Sequence, residues 1–171
     1  MPAPPDFRTI PLGITAIADC GRYAGRGPYW RLFSVENMVR VLVHSVLLSQ
    51  LGQNWWSLAV DPGTKGRVVN RRQDYAAEPH HSAPGTHDIY YLLLSELTRI
   101  LLVNSNLFLP VIPDVHQWVA RLEAIRLPRN VVGHMNWLHA NDIQEIDGLY
   151  RDLRALLQSF PRQGVNLVIP L

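Results

Sequence analysis

The chain has 171 residues, 47% hydrophobic and 18% charged, which suits one soluble domain with its own core. With 16 Lys+Arg against 14 Asp+Glu the formal charge is only +2, which argues against a protein that coats nucleic acid by charge alone and makes any basic site local. The single Cys20 cannot form an intramolecular disulfide, so a cysteine-stapled scaffold is set aside.

The opening Met1-Pro2-Ala3-Pro4-Pro5-Asp6 lacks a basic segment followed by an apolar one, and the longest apolar run, 89–103, is broken by Glu96 and Arg99. Neither export nor a membrane span is expected, and the localisation read from this is cytoplasmic. Of the 16 cations only Lys65 is a lysine; codon usage accounts for that, although the guanidinium fork also suits phosphate.

Residues 1–30 carry four of the 13 prolines by Pro11 and then a Gly- and Arg-containing stretch, 20–30. They read as an irregular arm. It is either poorly ordered or, through Ile14, Ile17, Tyr29 and Trp30, laid along a partner surface. Ser34 reads as an N-cap for a first long helix over 34–51, with Met38, Val39, Leu42, Val43, Val46 and Leu47 at helical spacing and Gly52 as its stop. Glu36, Arg40 and His44 step by four and so share a face, either a solvated stripe with a Glu–Arg pair or a functional surface.

Trp55-Trp56 reads as a core or interface anchor. A turn at Asp61-Pro62-Gly63 leads into a loop carrying Lys65, Arg67, Arg71 and Arg72, the most obvious basic patch, which is either solvated or an electrostatic guide for an RNA backbone. His80, His81 and His87 follow in a polar loop, where a zinc site is not expected because metals want fixed spacing on ordered elements.

A second helix is expected over 87–104, with Ile89, Leu92, Leu93, Leu97, Ile100 and Leu101 facing inward. A third starts at Pro113-Asp114, with Val115, Trp118, Val119, Leu122 and Ile125 inward, and Pro128 ends or kinks it. A fourth runs over about 129–138. A last one covers about 142–160 with an Asn141 and Gln144 capping pair, and Pro161 stops it. The tail 165–169 looks strand-like, without a partner strand. The fold class is therefore all-α, an up-and-down bundle of four or five helices with long connections at 52–86 and 104–113. The divisions are an arm over 1–30, a helical domain over 31–160 and a tail over 161–171.

Arg129-Asn130-Val131-Val132-Gly133-His134 places strongly polar side chains where a helical protein normally buries apolar ones. On an ideal helix residues four apart lie about 40° apart, so Asn130 and His134 share a face and Asn130 can orient the imidazole. Arg129 can swing to the same cleft. Gly133 lowers helix propensity by roughly 1 kcal/mol, which calls for a reason such as room for a ligand or another backbone. This set suits cleavage of RNA by its own 2′-hydroxyl: an imidazole with an ordinary pKa near 6.5 exchanges a proton at neutral pH, and a guanidinium neutralises charge growing on phosphorus, with no metal or other cofactor. A structural Arg and His is the plainer alternative.

These residues resemble the HEPN (higher eukaryotes and prokaryotes nucleotide-binding) superfamily, whose signature is Arg, four to six residues, then His near the start of a late helix in a small helical domain. More narrowly the chain is similar to the HEPN branch of a eukaryotic mRNA quality-control endoribonuclease and its bacterial relatives. The likeness rests on Glu36 and Arg40 in the first helix, Leu51-Gly52-Gln53-Asn54-Trp55-Trp56 after it, and 125–134 near the end. It spans roughly 31–160.

The resemblance implies a homodimer or heterodimer with two motifs in one composite cleft, and a metal-independent endoribonuclease that leaves a cyclic phosphate and a 5′-hydroxyl. It further implies a toxin, antiviral or RNA-processing effector, with an antitoxin or regulatory protein as a partner. Carried over, Arg129 and His134 are the catalytic pair, supported by Asn130 and assisted by Glu36. Arg126, one turn earlier, contacts phosphate, pairs with Glu123 or is exposed. A non-catalytic HEPN-like dimerisation or RNA-binding module is the rival reading, and an unrelated helical interaction domain is the third.

Overall fold

Apolar residues on every side of a helix require burial on every side, and the segment after Tyr29 has that pattern. The computed structural model describes residues 3–10 and 13–171. Among the described residues the chain forms α1 (Ile14–Ala24), α2 (Trp30–Leu51), α3 (Trp55–Ala59), α4 (Pro62–Ala76), α5 (Leu94–Val103), α6 (Ser105–Phe108), α7 (Val115–Ala124), α8 (Arg126–Gly133) and α9 (Ala140–Ser159). Central α2 packs most extensively against α9 and also against α3 and α5, while α7 backs α5. Val35, Val43, Val46 and Leu47 of α2 are wholly buried, as are Leu97, Phe108, Ile146 and Phe160 around them.

The fold is all-α, as the periodicity predicts, but two segments read as irregular are helices. Residues 14–24 form α1, and a π-helical turn, Gly25–Tyr29, joins it to α2. Pro28 lies within that turn. Its ring nitrogen has no hydrogen for the helical ladder, and a widened turn absorbs such a loss. Ser34 is therefore no N-cap; it sits inside the helix and its hydroxyl donates back to the Trp30 carbonyl at 2.8 Å. The parts of the expected arm at 1–2 and 11–12 lie outside the described residues.

The second correction is α4, read from sequence as a basic loop. Asp61 caps it, accepting from the Thr64 N–H at 3.0 Å and the Thr64 hydroxyl at 2.7 Å, with Pro62 at the first helical position. The helix is held from the side by Glu96, which accepts from Arg67 Nε at 2.7 Å, Arg71 Nη1 at 2.6 Å and the Leu93 N–H at 2.9 Å. Burial by itself would raise the Glu96 pKa, but the Arg71, Arg67 and Leu93 donors outweigh it and hold the carboxyl below its ordinary value.

Smaller differences follow the same logic. A 3-10 turn, Asp88–Tyr91, precedes α5, so Leu93 is extended cap residue, 45% exposed, and Leu94 packs inward instead. Asp114 caps α7, accepting from the Gln117 N–H. Asp142, not Gln144, caps the start of α9 by accepting from the His139 N–H at 3.2 Å. The tail makes no strand; Val168 N–H donates to the buried Ser45 hydroxyl at 2.9 Å, and Tyr90 OH donates to the Pro170 carbonyl at 3.1 Å. Trp55, 1% exposed, is a core anchor set edge-on to Trp56.

The helical run Ile14–Ala59 contains one window long and apolar enough to cross a membrane, and 56% of that window is buried inside the protein. A central core helix has the same composition. Removing the Glu96 carboxylate should free two arginines against a buried wall: Glu96→Ala is expected to cost about 3 kcal/mol in urea unfolding, whereas Arg99→Ala, on an exposed pair with Asp61 at 3.6 Å, should cost less than about 1 kcal/mol.

Candidate active site

Pro128 determines where the motif sits. The first N–H groups of a helix have no intrahelical acceptor, so a proline there costs no hydrogen bond. The fourth helix consequently begins at Arg126 instead of Arg129 and ends at Gly133 instead of Leu138. Pro128 and Val132 are buried and pin α8 to the body. His134 is its C-cap, φ −90° and ψ 16°, donating its N–H to the Asn130 carbonyl at 2.9 Å. Met135 then turns into the left-handed region at φ 58°.

Arg129 reaches toward α2, its Nε 3.6 Å from Glu36 Oε2. The other Glu36 oxygen accepts from Arg40 Nη2 at 2.6 Å, and Arg40 also donates to the Leu92 carbonyl at 3.2 Å and to Asn37 Oδ1 at 3.3 Å. The Glu36–Arg40 pair is thus turned inward, its side chains 17% and 10% exposed, and is not a solvated stripe.

His44, the third member of that series, lies deeper. It is 7% exposed, with its ring edge-on to Trp55 at 5.6 Å and to His87 at 5.1 Å. Burial, and secondarily the nearby His87, push its pKa down to about 4, so it is a neutral core residue.

Between α2 and α8 lies a cleft of about 370 Å³. Glu36, Arg40 and Arg129 line its polar part and Tyr29, Phe33 and Tyr90 its aromatic part. Gly133 also lines it, and a Cβ added there would meet nothing within 4 Å. The chain's own packing therefore does not demand the glycine. Asn130 and His134 are exposed and do not line the cleft. Among the described residues neither side chain has a hydrogen-bond partner for its own donor groups. The fold brings Arg129, Glu36 and Arg40 together, and it leaves His134 at the helix end facing solvent.

The expected basic patch is engaged within the chain. Lys65 Nζ donates to the Ser57 carbonyl at 2.8 Å, Arg67 and Arg71 hold Glu96, and Arg72 pairs with Asp88. Arg126 Nε lies 3.7 Å from Glu123, the pairing that its spacing allowed. Glu78, His80 and His81 bring ligand atoms within 4.8 Å, all on exposed side chains; His87 is elsewhere, stacked on Trp55 at 5.6 Å and 7°. A larger hollow of about 670 Å³ beside α1 and α9 contains the Arg22–Asp19 and Arg31–Asp147 pairs.

Tyr29, Phe33 and Tyr90 were missed as site residues. The signal was present: positions 29, 33, 36 and 40 follow helical spacing, once 29 is recognised as continuous with α2. No protein-family profile, curated protein or solved structure matches the chain.

The buried imidazole gives a pH test. Unfolded, His44 takes a proton near pH 6.5; folded, only near pH 4. Protonation therefore favours the unfolded chain across that window, so stability is full above pH 6.5 and falls by about 3 kcal/mol on acidification to pH 4. Chemical denaturation at pH 7.0, 5.5 and 4.5 should show the loss, and in His44→Leu the slope should shrink to what His87, also lowered by burial, contributes.

Proposed function

We propose that the protein is a metal-independent endoribonuclease working as a HEPN-type dimer, in the manner of a toxin, antiviral or RNA-processing effector. The observation that carries this reading is the division of labour on α8: Arg129 is held in a cleft beside Glu36, and His134, five residues on, is exposed with a free imidazole. The RNA 2′-hydroxyl gives its proton to His134 while O2′ bonds to phosphorus. Arg129 neutralises the charge on the phosphorane oxygens. The P–O5′ bond breaks, and the partner subunit's His134 protonates O5′, leaving a 2′,3′-cyclic phosphate and a 5′-hydroxyl. Atoms and charge balance with no metal.

Glu36 orients Arg129 and tempers its charge, and Asn130 shares a face with His134. The dimer is part of the proposal because one chain offers its arginine and its histidine to different surroundings. Leu127 and Met135, 63% and 84% exposed at the two ends of α8, supply apolar surface for the pairing.

The Arg129–Glu36 contact also favours the second reading, a dimerisation or RNA-binding module without chemistry, since a paired arginine can be purely structural. Incubation of single-stranded RNA with protein in excess chelator separates the two. Wild type should cut, with cyclic phosphate at the new ends, whereas Arg129→Ala and His134→Ala should each be slower by about 100-fold or more. No cutting by folded, dimeric wild type would leave the module reading.

A further inference from the structure

The aromatic half of the cleft has no task in the proton transfers above. Tyr29 and Phe33 are 54% and 60% exposed, an unfavourable use of large rings on a free surface. They stand one turn apart, Tyr29 at the end of the π-helical turn and Phe33 on α2, on the same side as Glu36 and Arg40, with Tyr90 facing them from the segment before α5. Tyr90 is fixed on both sides. Its hydroxyl donates to the Pro170 carbonyl, and its ring lies so close over Gly85 that an added Cβ there would come within 2.5 Å of Cδ2.

We infer that this cleft is a receptor for one unpaired nucleobase next to the scissile phosphate, stacked on Phe33 and Tyr29 with its edge toward Glu36. The inference rests on the ribonuclease reading for the position of the phosphate, at Arg129. The volume of about 370 Å³ falls at the small end of ligand sites, about 300–1,000 Å³, and suits a base with its sugar but not a duplex.

The mixture of groups selects the occupant. An apolar peptide laid on these rings would strip water from Arg129, Glu36 and Arg40 without pairing them. A nucleotide offers a π-face to the rings, an anionic oxygen to Arg129 and N–H groups to a carboxylate. Every base has a π-face, so stacking supplies affinity for single strands whatever the sequence. Glu36 adds a preference for guanine, whose adjacent N1–H and N2–H donors match a carboxylate, over uracil, whose single N3–H is flanked by two carbonyl acceptors.

The test is equilibrium binding of a fluorescent single-stranded RNA decamer and of the same strand annealed to its complement. It uses full-length protein carrying His134→Ala, in chelator, with the mass of each variant measured in solution. The single strand should bind at least about tenfold tighter than the duplex. Phe33→Ala should erase that margin, and Phe33→Trp should keep it. Phe33 is exposed, so neither change should threaten folding.

Equal affinity for both RNAs, or an unchanged margin in Phe33→Ala, overturns the inference. So does a Phe33→Ala protein that falls from dimer to monomer, because the rings would then belong to an interface between two copies. Cleavage has no part in this readout. A protein that binds single strands through Phe33 but never cuts RNA defeats the nuclease reading and leaves the base receptor standing.

Discussion

The Glu36 carboxylate is the contact on which the candidate site depends. One oxygen accepts from Arg40 on its own helix, and the other lies 3.6 Å from Arg129 on α8. Arg40 in turn donates to the Leu92 carbonyl ahead of α5. A single carboxylate thus links the central helix to α8 and, through Arg40, to the approach to α5. Two guanidiniums beside one half-buried anion leave net positive charge in the cleft, where the lower local dielectric gives it more effect than at the surface. That is how a chain of near-zero net charge can still present a local anion-attracting spot.

The same constraint runs through the rest of α2. Because the helix is apolar all round, each polar residue on it must be satisfied locally or kept neutral. Ser45 does so through the tail and His44 by giving up its proton among aromatic rings, while Arg40 is held by Glu36, Asn37 and Leu92 at its two Nη atoms and keeps a buried Nε without a partner among the described residues. On α4, by contrast, the carboxylate partners of Arg67, Arg71 and Arg72 come from α5 and the segment before it, so these cations hold the layers together. The most basic stretch of the sequence is thereby engaged largely in internal pairing, while in the cleft, poorer in cations, the Arg129 side chain stays 39% exposed.

Much of this architecture was legible in the sequence. The 3.6-residue spacing in α2, α5, α7 and α9 marks the core, and Gly52, Asp114 and Pro161 mark ends, because apolar periodicity and capping chemistry are local. Two helices were illegible for one reason: glycine and proline, normally signs of loops, sit inside helical segments in both. Gly25, Gly27 and Pro28 lie in a π-helical turn, and Pro62, Gly63 and Gly66 open α4. In each case tertiary packing overrides propensity. The Arg129 and His134 pair could be singled out by residue type and spacing. The direction of each side chain could not, because it follows from where α8 begins.

That starting point is set by the short helix's ends. Pro128 is tolerated only in the first turn, which fixes the frame and directs Arg129 toward α2. Gly133 and the left-handed Met135 end the helix within two residues, so His134 becomes a cap, freed from the side-chain packing of a helix interior. Extending α8 by one turn would return His134 to a helical face about 140° from Arg129, fixed by its neighbours. Stopping it at Gly133 separates the two groups instead: a cation held beside a half-buried anion, and an imidazole exposed at the helix end.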